Sequence, residues 1–382
     1  MPSEGQDFTV GVEEEFLLVD PESRRLVPAA DRVVSEGTAV GKGNLGHELQ
    51  LSQLETGTAV CEDLSEVRGE LVRLRRLSAA AAERAGYRIA AAGTHPISLV
   101  EGSRLTPEPA YLRLERDYQL VAREQVVCGC HVHVGLSDRE IAIDVLNRVR
   151  PWLAPILALA ANSPYWQGED TGYASFRTEI WRRWPTSGTP EPFASRGEYE
   201  RLVEELLATG AIDAPARIYW DVRPSARFET LEFRVTDACL SVDETVMVAG
   251  LVRGLVRAAW QEATAGEPPL APRAELLRAA TWRAARFGIE GELIDLGVCR
   301  SVPARDLVDT LAARLRPALE ELGDWDEVSA LVDVVFGRGT AATRQRRAFA
   351  RAGRLEDVVD LLLAETVPDG AATAFGPRRP PR

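Results

Sequence analysis

Residues 8–20 read FTVGVEEEFLLVD and form the longest strand-like run at the start of this 382-residue chain. Asp20-Pro21 ends the run, because proline interrupts the ladder of a strand. Side chains alternate along a strand, so Glu13 and Glu15 share one face. The opposite face carries the apolar residues Val10, Val12, Phe16 and Leu18. This segment therefore predicts a strand with one apolar face and one acidic face.

The two neighbouring carboxylates on this strand repel each other. At about 4 Å and an effective dielectric constant of about 20, the repulsion amounts to about 4 kcal/mol. Such a pair is tolerable if the face is open to water or if a cation lies between the carboxylates, and the strand alone leaves both alternatives open. Glu14 falls among the apolar positions, and its role stays open as well.

Residues 230–236, TLEFRVT, predict a second strand with the same division of faces. Glu232 and Arg234 share one face, opposite Leu231 and Phe233. A solvated strand with a salt bridge is the alternative explanation.

A third strand is predicted at the sequence CGCHVHVG, residues 128–135. His131 and His133 share one face, whereas Cys128 and Cys130 point to the other. A four-ligand zinc site built from these neighbours is therefore awkward, and the cysteines fit better as small core residues.

The three polar faces together carry glutamates, histidines and an arginine, whereas a solvent-facing sheet usually carries Lys, Thr and Ser. Carboxylates with a limited share of histidine suit Mg²⁺ or Mn²⁺ better than zinc. Arginine beside them suits a phosphate group. The combination indicates nucleotide-dependent phosphoryl chemistry.

Composition excludes several classes of protein. A net charge of −13 argues against binding to nucleic acid or to an anionic membrane. Lys42 is the single lysine, and Gly41-Lys42-Gly43 does not make a Walker phosphate loop. The five cysteines do not form the pattern of a disulfide framework. No stretch reaches the ~20 apolar residues of a membrane span, so a cytoplasmic protein is expected.

The order of elements predicts an α+β fold, with a mostly antiparallel sheet and helices packed on one side. A single domain over residues 1–366 is expected, strand-rich over 1–240 and helical over 241–366, followed by a flexible tail at 367–382. Further predicted strands are 48–54, 56–61, 87–92 and 218–222. The strand with the two histidines is expected to extend over 125–136, and the strand with Glu232 over 229–236. Predicted helices are 64–85, 137–162 and 195–209. Residues 163–193 are expected to form a long functional loop, because they are irregular but rich in aromatic residues.

The motifs resemble those of the carboxylate–amine ligases labelled glutamate–cysteine ligase type two, within the glutamine-synthetase-like superfamily. Their order and spacing match up to about residue 300. The matching stretches are Gly11–Phe16, His47–Glu55 with Thr58 and Cys61, Gly93–Pro96, His131–Gly135, Ser163–Tyr165 with Gln167-Gly168, Trp220–Ser225, and Thr230–Arg234 with Asp237.

The resemblance implies a curved sheet that forms a funnel, with ATP at one end and amino-acid substrates at the other. It also implies two or more Mg²⁺ or Mn²⁺ ions between them. One ion would be held by Glu15, Glu48 and Glu55, and another by Glu13, His131 and Glu232. Of these positions, Glu48 is the one at which relatives also carry Asp.

Basic residues would complete the site. By resemblance, His133 and Arg234 face the ATP phosphates, and Arg223 and Arg227 lie near substrate or phosphate. The expected catalytic residues are His133, Arg223 and Arg234. The expected ATP ligands are His133, Arg227 and Arg234. The loop arginines Arg177, Arg182 and Arg183 could clamp a substrate carboxylate, or they could serve solubility and aromatic stacking. His95 either lines the site or stabilises a turn, and His47 is expected to be exposed.

The implied reaction is an ATP-dependent ligation of a carboxylate to an amine through an acyl phosphate. The family label names glutamate as the carboxylate and cysteine as the amine, and it implies weak activity on cysteine. A guanidino kinase and a non-catalytic nucleotide-binding protein are the alternatives. The substrates are small molecules, and a homodimer is suggested by the family rather than by any residue.

Overall fold

The computed structural model describes residues 7–40, 45–101 and 103–368. The strands are β1 (Val10–Val19), β2 (Leu45–His47), β3 (Gln53–Gly57), β4 (Arg88–Ala90), β5 (Gly129–Gly135), β6 (Tyr165–Trp166), β7 (Glu169–Asp170), β8 (Val222–Pro224), β9 (Thr230–Asp237), β10 (Glu292–Asp295) and β11 (Arg300–Pro303). The helices are α1 (Ala30–Val40), α2 (Leu64–Arg84), α3 (Pro109–Tyr118), α4 (Leu120–Arg123), α5 (Arg139–Val149), α6 (Leu153–Leu159), α7 (Phe176–Trp181), α8 (Arg196–Ala208), α9 (Val242–Thr264), α10 (Ala274–Phe287), α11 (Ala304–Leu322), α12 (Trp325–Arg338), α13 (Ala341–Ala352) and α14 (Leu355–Thr366).

The main sheet is antiparallel and runs in the order β2-β3-β1-β5-β9-β8, with β4 paired to the far end of β1. The strand β1 lies inside the sheet, where Glu13 is opposite His131 of β5 and Glu15 is opposite Glu55 of β3. The pairing thus brings the polar faces predicted for β1, β5 and β9 onto one face of one sheet.

The other face of the sheet packs against helices. Val10 and Val12 of β1 and Val132 and Val134 of β5 belong to one buried core with α2, α5, α6 and α9. Helix α9 begins with a capping box of Ser241 and Glu244 and is buried over most of its length. The expected α+β fold, with an antiparallel sheet and helices behind it, is confirmed.

Some element boundaries differ from the expectation. The helix expected from Ser137 begins after Asp138, whose side chain accepts hydrogen bonds from the backbone N–H groups of Glu140 and Ile141. It ends at Val149, and a short 3₁₀ turn that contains Pro151 separates it from α6, because proline removes a donor of the helix. The strands expected at 48–54 and 56–61 are replaced by β2 and the short β3.

Two expected segments contain additional structure. The region after Ser241 is helical as expected, except for the hairpin β10–β11. The long segment 163–193 contains the small hairpin β6–β7 and helix α7. The expected tail lies almost wholly outside the described residues. Among the described residues, no helix is long and apolar enough to cross a membrane.

Candidate active site

The polar face of the sheet gathers five potential metal ligands, which we call the acidic floor: Glu13, Glu15, Glu55, His131 and Glu232. Their ligand atoms form two groups, and within each group all atoms lie within 4.8 Å of one another. One group is Glu13, His131 and Glu232; the other is Glu15, Glu55 and His131. Sequence reasoning expected Glu48 as the third member of the second group; in the structure the third member is His131.

His131 links the two groups through its two ring nitrogens. Its Nδ1 lies 3.2 Å from Oε2 of Glu13, and its Nε2 lies 3.6 Å from Oε1 of Glu15. The ring is buried, and Nε2 has no hydrogen-bond partner among the described residues. Burial and the nearby charge of Arg234 lower the pKa of His131 to about 4, so the ring is neutral and can donate a lone pair.

The glutamates of the floor crowd one another. Burial, reinforced by the charge of Glu48, raises the pKa of Glu15 to about 8. Burial together with the charges of Glu48, Glu13 and Glu15 raises the pKa of Glu55 as well. Carboxylates that cannot all ionise alone gain from a bound cation, and the donor set of glutamates and one imidazole suits Mg²⁺ or Mn²⁺. The residues therefore fit a divalent cation; that they bind one stays a prediction.

A β-bulge in β9 places the remaining polar groups of the floor. Val132 pairs with Phe233 and Cys130 pairs with Thr236, so β9 contributes one extra residue between these pairs. As a result Asp237 is opposite Gly129, on the same face as Glu232, although the two residues are an odd number of positions apart. Sequence alternation alone would have put them on opposite faces.

Glu232 is held by two arginines. Arg223 donates from Nε and Nη2 to its two oxygens at 2.9 and 3.0 Å, and Arg234 pairs with Oε1. Burial opposes ionisation of Glu232, but the charges of Arg234 and Arg223 outweigh burial and lower its pKa. Arg223 is also fixed by the carbonyls of Ala216 and Ile218, whereas the Nε of Arg234 has no partner among the described residues. Of the two arginines, Arg234 is the freer to bind a ligand.

Arg177 of α7 lies beside the other end of the floor. It is 2% exposed, its Nε has no partner among the described residues, and its charge acts on Glu15 and Asp237. Its guanidinium carbon lies 5.3 Å from the ring centre of Trp181, and that of Arg234 lies 5.5 Å from the same ring. Trp181 therefore holds both cations by cation–π contacts.

Asp237 fixes the start of α7. Its carboxylate accepts hydrogen bonds from the hydroxyls of Ser163 and Ser175, each at 2.7 Å. Ser163 in turn accepts a hydrogen bond from the backbone N–H of Arg177. Sequence reasoning missed Trp181 and Asp237 as site residues; Asp237 was part of the quoted motifs, but its face depends on the bulge.

The other two arginines of the segment 163–193 form ion pairs away from the floor, and Arg227 lies in a different turn. Arg182, directly after α7, pairs with Glu179 of that helix, and Arg183 pairs with Glu124. Arg227 is exposed in the turn between β8 and β9. The structure thus brings Arg177 to the floor, whereas the ion pairs of Arg182 and Arg183 favour the structural alternative for these two.

The four histidines divide into two pairs. His131 and His133 both lie at the floor, where Nε2 of His133 is 3.5 Å from Oε1 of Glu13. His95 is buried, and its Nδ1 accepts hydrogen bonds from the backbone N–H groups of Ile97 and Ser98, which makes it a turn histidine. His47, expected to be exposed, is half-buried and pairs with Asp31 at 2.7 Å.

A cavity of about 410 Å³ opens at the His133 end of the floor. Its walls are mostly apolar and include Gly11, Gly57, Val60 and Phe228, with Glu13 among the lining residues. Phe228 is 58% exposed, and its ring stands edge-on to that of His133, with the centroids 6.0 Å apart. Ligand cavities typically have this volume and this apolar character.

Comparison with known proteins identifies relatives of this chain. Residues 9–361 match the model of a family described as glutamate–cysteine ligase family 2. A Frankia alni protein named "Putative glutamate--cysteine ligase 2-2" is 49% identical over 372 residues, which covers 94% of this chain and 97% of that protein. A longer Frankia alni protein with a similar name is 45% identical over 98% of this chain, but the chain spans only 44% of its length.

Two solved structures share the fold at low sequence identity. A glutamate–cysteine ligase of Francisella tularensis, solved with AMP, superposes with a TM-score of 0.69 at 14% identity and covers 95% of this chain and 90% of its own. A bifunctional glutathione synthetase of Pasteurella multocida gives a TM-score of 0.65 at 17% identity, over 94% of this chain and 52% of its own. At these identities the likeness concerns the fold alone.

Proposed function

Since this chain belongs to glutamate–cysteine ligase family 2, we propose that it uses ATP to join a carboxylate to an amine, with glutamate as the carboxylate and cysteine or a similar amine as the acceptor. The products are an amide, ADP and phosphate. The observation that carries the proposal is the acidic floor, which stands beside Arg234 and Arg177 in a chain of this family. Such a reaction belongs in the cytoplasm, where ATP and free amino acids are available.

The cavity at the His133 end suits the nucleotide. Its apolar walls fit a base, and Glu13 and His133 are among its lining residues, where the phosphates would meet the floor. Arg234 can exchange its pairing with Glu232 for a phosphate oxygen, because the fixed Arg223 continues to neutralise Glu232. Arginine suits this exchange, since its planar group binds carboxylate and phosphate in the same manner.

Divalent cations would be held by the two groups of the floor, with Glu48 close enough to add its charge. When bound, such ions neutralise the charge on the phosphates and polarise the transferred phosphoryl group. The residues of the chain supply position and electrostatics. Glu13 contributes a ligand to one group and Glu15 to the other, and Arg234 stabilises charge on the phosphoryl oxygens.

The opposite end of the floor suits the amino-acid substrates. Arg177 is buried, and its Nε is unpaired among the described residues, so it can bind a substrate carboxylate. Attack of the γ-carboxylate of glutamate on ATP forms an acyl phosphate and releases ADP. Attack of the amine then forms the amide and releases phosphate.

The test is phosphate release from Mg-ATP with glutamate, scanned across a panel of amines and followed by identification of the product. We expect release that depends on both an amine and glutamate. Glu13→Gln and Glu232→Gln should abolish it while the far-ultraviolet circular dichroism is unchanged, and Glu22→Gln, at an exposed turn, is the matched control. Near-normal turnover in either floor variant would refute the assignment.

The same assay separates the alternatives. A guanidino kinase would yield a phosphorylated guanidine without free phosphate. A non-catalytic binding protein would bind ATP but release no phosphate with any amine of the panel.

A further inference from the structure

Glu14 points away from the acidic floor and is buried more deeply than Glu13 or Glu15. It is 2% exposed and lies on the face of β1 that packs against the helices. Its Oε1 accepts hydrogen bonds from Nη2 of Arg75 at 2.6 Å and from the hydroxyl of Thr245 at 2.8 Å. Its Oε2 accepts one from Nε of Arg75 at 3.0 Å. A buried glutamate between two metal-facing glutamates is thus paired by both of its oxygens.

Arg75 of α2 is fully buried and joins distant parts of the chain. Besides Glu14, its guanidinium donates to the backbone carbonyls of Cys239 and Leu240, just after β9, at 2.8 and 2.7 Å. It also donates at 2.8 Å to the carbonyl of Thr366, the last residue of α14. One side chain therefore connects β1 with α2, with the segment after β9 and with the end of the C-terminal helix.

This connection fixes β1 in the direction perpendicular to the sheet, which strand pairing leaves free. The ladders to β3 and β5 hold β1 within the plane of the sheet. They do not hold it against the repulsion within the acidic floor, because β3 and β5 carry members of that floor themselves. The bond between Glu14 and Arg75 holds β1 against the helices behind the sheet. Buried ion pairs add little net stability, and their best-attested use is to specify one arrangement of a chain.

We propose that the pair of Glu14 and Arg75 positions Glu13 and Glu15 and thereby sets the affinity of the floor for divalent cations. Arg75 is a positioning residue in this account, since it touches neither substrate nor metal ligand. The inference rests on the metal groups of the proposed function. Loss of the bidentate geometry should let β1 shift and should weaken cation binding.

The experiment measures Mn²⁺ binding to the full chain by electron paramagnetic resonance and by calorimetry, well below the melting temperature. Arg75→Lys keeps the charge but loses the fork of donors, and we expect Mn²⁺ to bind about tenfold more weakly. Turnover should recover near wild-type kcat at saturating Mn²⁺, with a raised activation constant for the metal. A merely structural role would not give this separation.

Arg148→Lys is the matched control, because Arg148 is also a buried arginine but pairs with Asp144 along α5. It should bind Mn²⁺ as the wild type does. Thr245→Val, which removes a hydrogen bond to Glu14, should weaken binding by about 2- to 5-fold and decides the matter if Arg75→Lys does not fold. If Arg75→Lys folds and binds Mn²⁺ with wild-type affinity, the inference is wrong but the proposed metal groups stand. If Arg75→Lys does not fold, wild-type Mn²⁺ affinity in Thr245→Val has the same meaning. Absence of Mn²⁺ binding to the wild type would overturn the proposed metal groups and the inference together.

Discussion

Gly129→Ala should damage the site through a single methyl group. Gly129 lies in β5, its backbone N–H donates to Oε2 of Glu15 at 2.6 Å, and it is not among the described residues of positive φ. Alanine is therefore permitted by the backbone, and only the surroundings oppose it. A Cβ atom there would lie 3.0 Å from Cζ of Arg177 and 3.1 Å from Nε2 of His131, and closer still to Nη2 of Arg177.

The size of the effect follows from these distances. Carbon atoms in contact prefer about 3.5–4.0 Å, so the guanidinium must move by roughly 1 Å. Arg177 is 2% exposed and lies over Trp181, which leaves it little room. Overpacking of this kind costs about 1–3 kcal/mol of stability, and a displacement of about 1 Å at a reacting centre can cost about 100-fold in rate.

The assay is phosphate release at saturating Mg-ATP, together with thermal unfolding of each variant. We expect kcat to fall about 100-fold and the melting temperature to fall by several degrees. Gly69→Ala, on the exposed side of α2, is the control, because a Cβ atom there would meet no side chain of the described residues within 4 Å. Wild-type turnover in Gly129→Ala would show that Arg177 does not act at the floor.

Three further expectations concern neighbouring features. Burial lowers the pKa of His95 to about 3. The stability that the neutral ring contributes should therefore be complete above pH 6.5 and should fall by up to about 1.4 kcal/mol per pH unit as the pH falls from 6.5 towards 3. Urea unfolding at several pH values measures this loss, which should be absent from His95→Gln. Phe228→Ala should raise the KM for ATP by about 2- to 10-fold with little change in kcat, as steady-state kinetics would show. Trp181→Leu should raise the KM for glutamate, because Arg177, the proposed ligand of the substrate carboxylate, loses its cation–π partner; an unchanged KM would contradict this.

Strand periodicity was sufficient to predict the faces of β1 and β5. Glu13, Glu15, His131 and His133 all lie on the polar face, because each strand is regular where they occur. Glu55 and Glu48 entered only through the family motifs, since the short strand β3 has too few residues to show a period and Glu48 lies outside the strands, just after β2.

What sequence reasoning missed depends on contacts between distant residues. Arg75 is 61 positions from Glu14, and no local pattern in the sequence connects them. The hairpin β10–β11 was hidden by the helical pattern on both sides of it. His131 joins the group expected to contain Glu48 because its second ring nitrogen lies 3.6 Å from Oε1 of Glu15, a side-chain orientation that the sequence does not encode locally.

The bulge in β9 decides which way Asp237 faces, because Glu232 and Asp237 are an odd number of positions apart. If the bulge were lost at constant length, the ladder with β5 would continue regularly beyond Phe233, Thr236 would lie opposite Gly129, and Asp237 would turn towards the helices. The start of α7 would then lose its anchor. If one residue between Phe233 and Thr236 were deleted together with the bulge, the two carboxylates would instead be four positions apart and would share the polar face. The length of β9 and its irregularity are therefore matched to each other, and a change in either one alone would separate the two carboxylates.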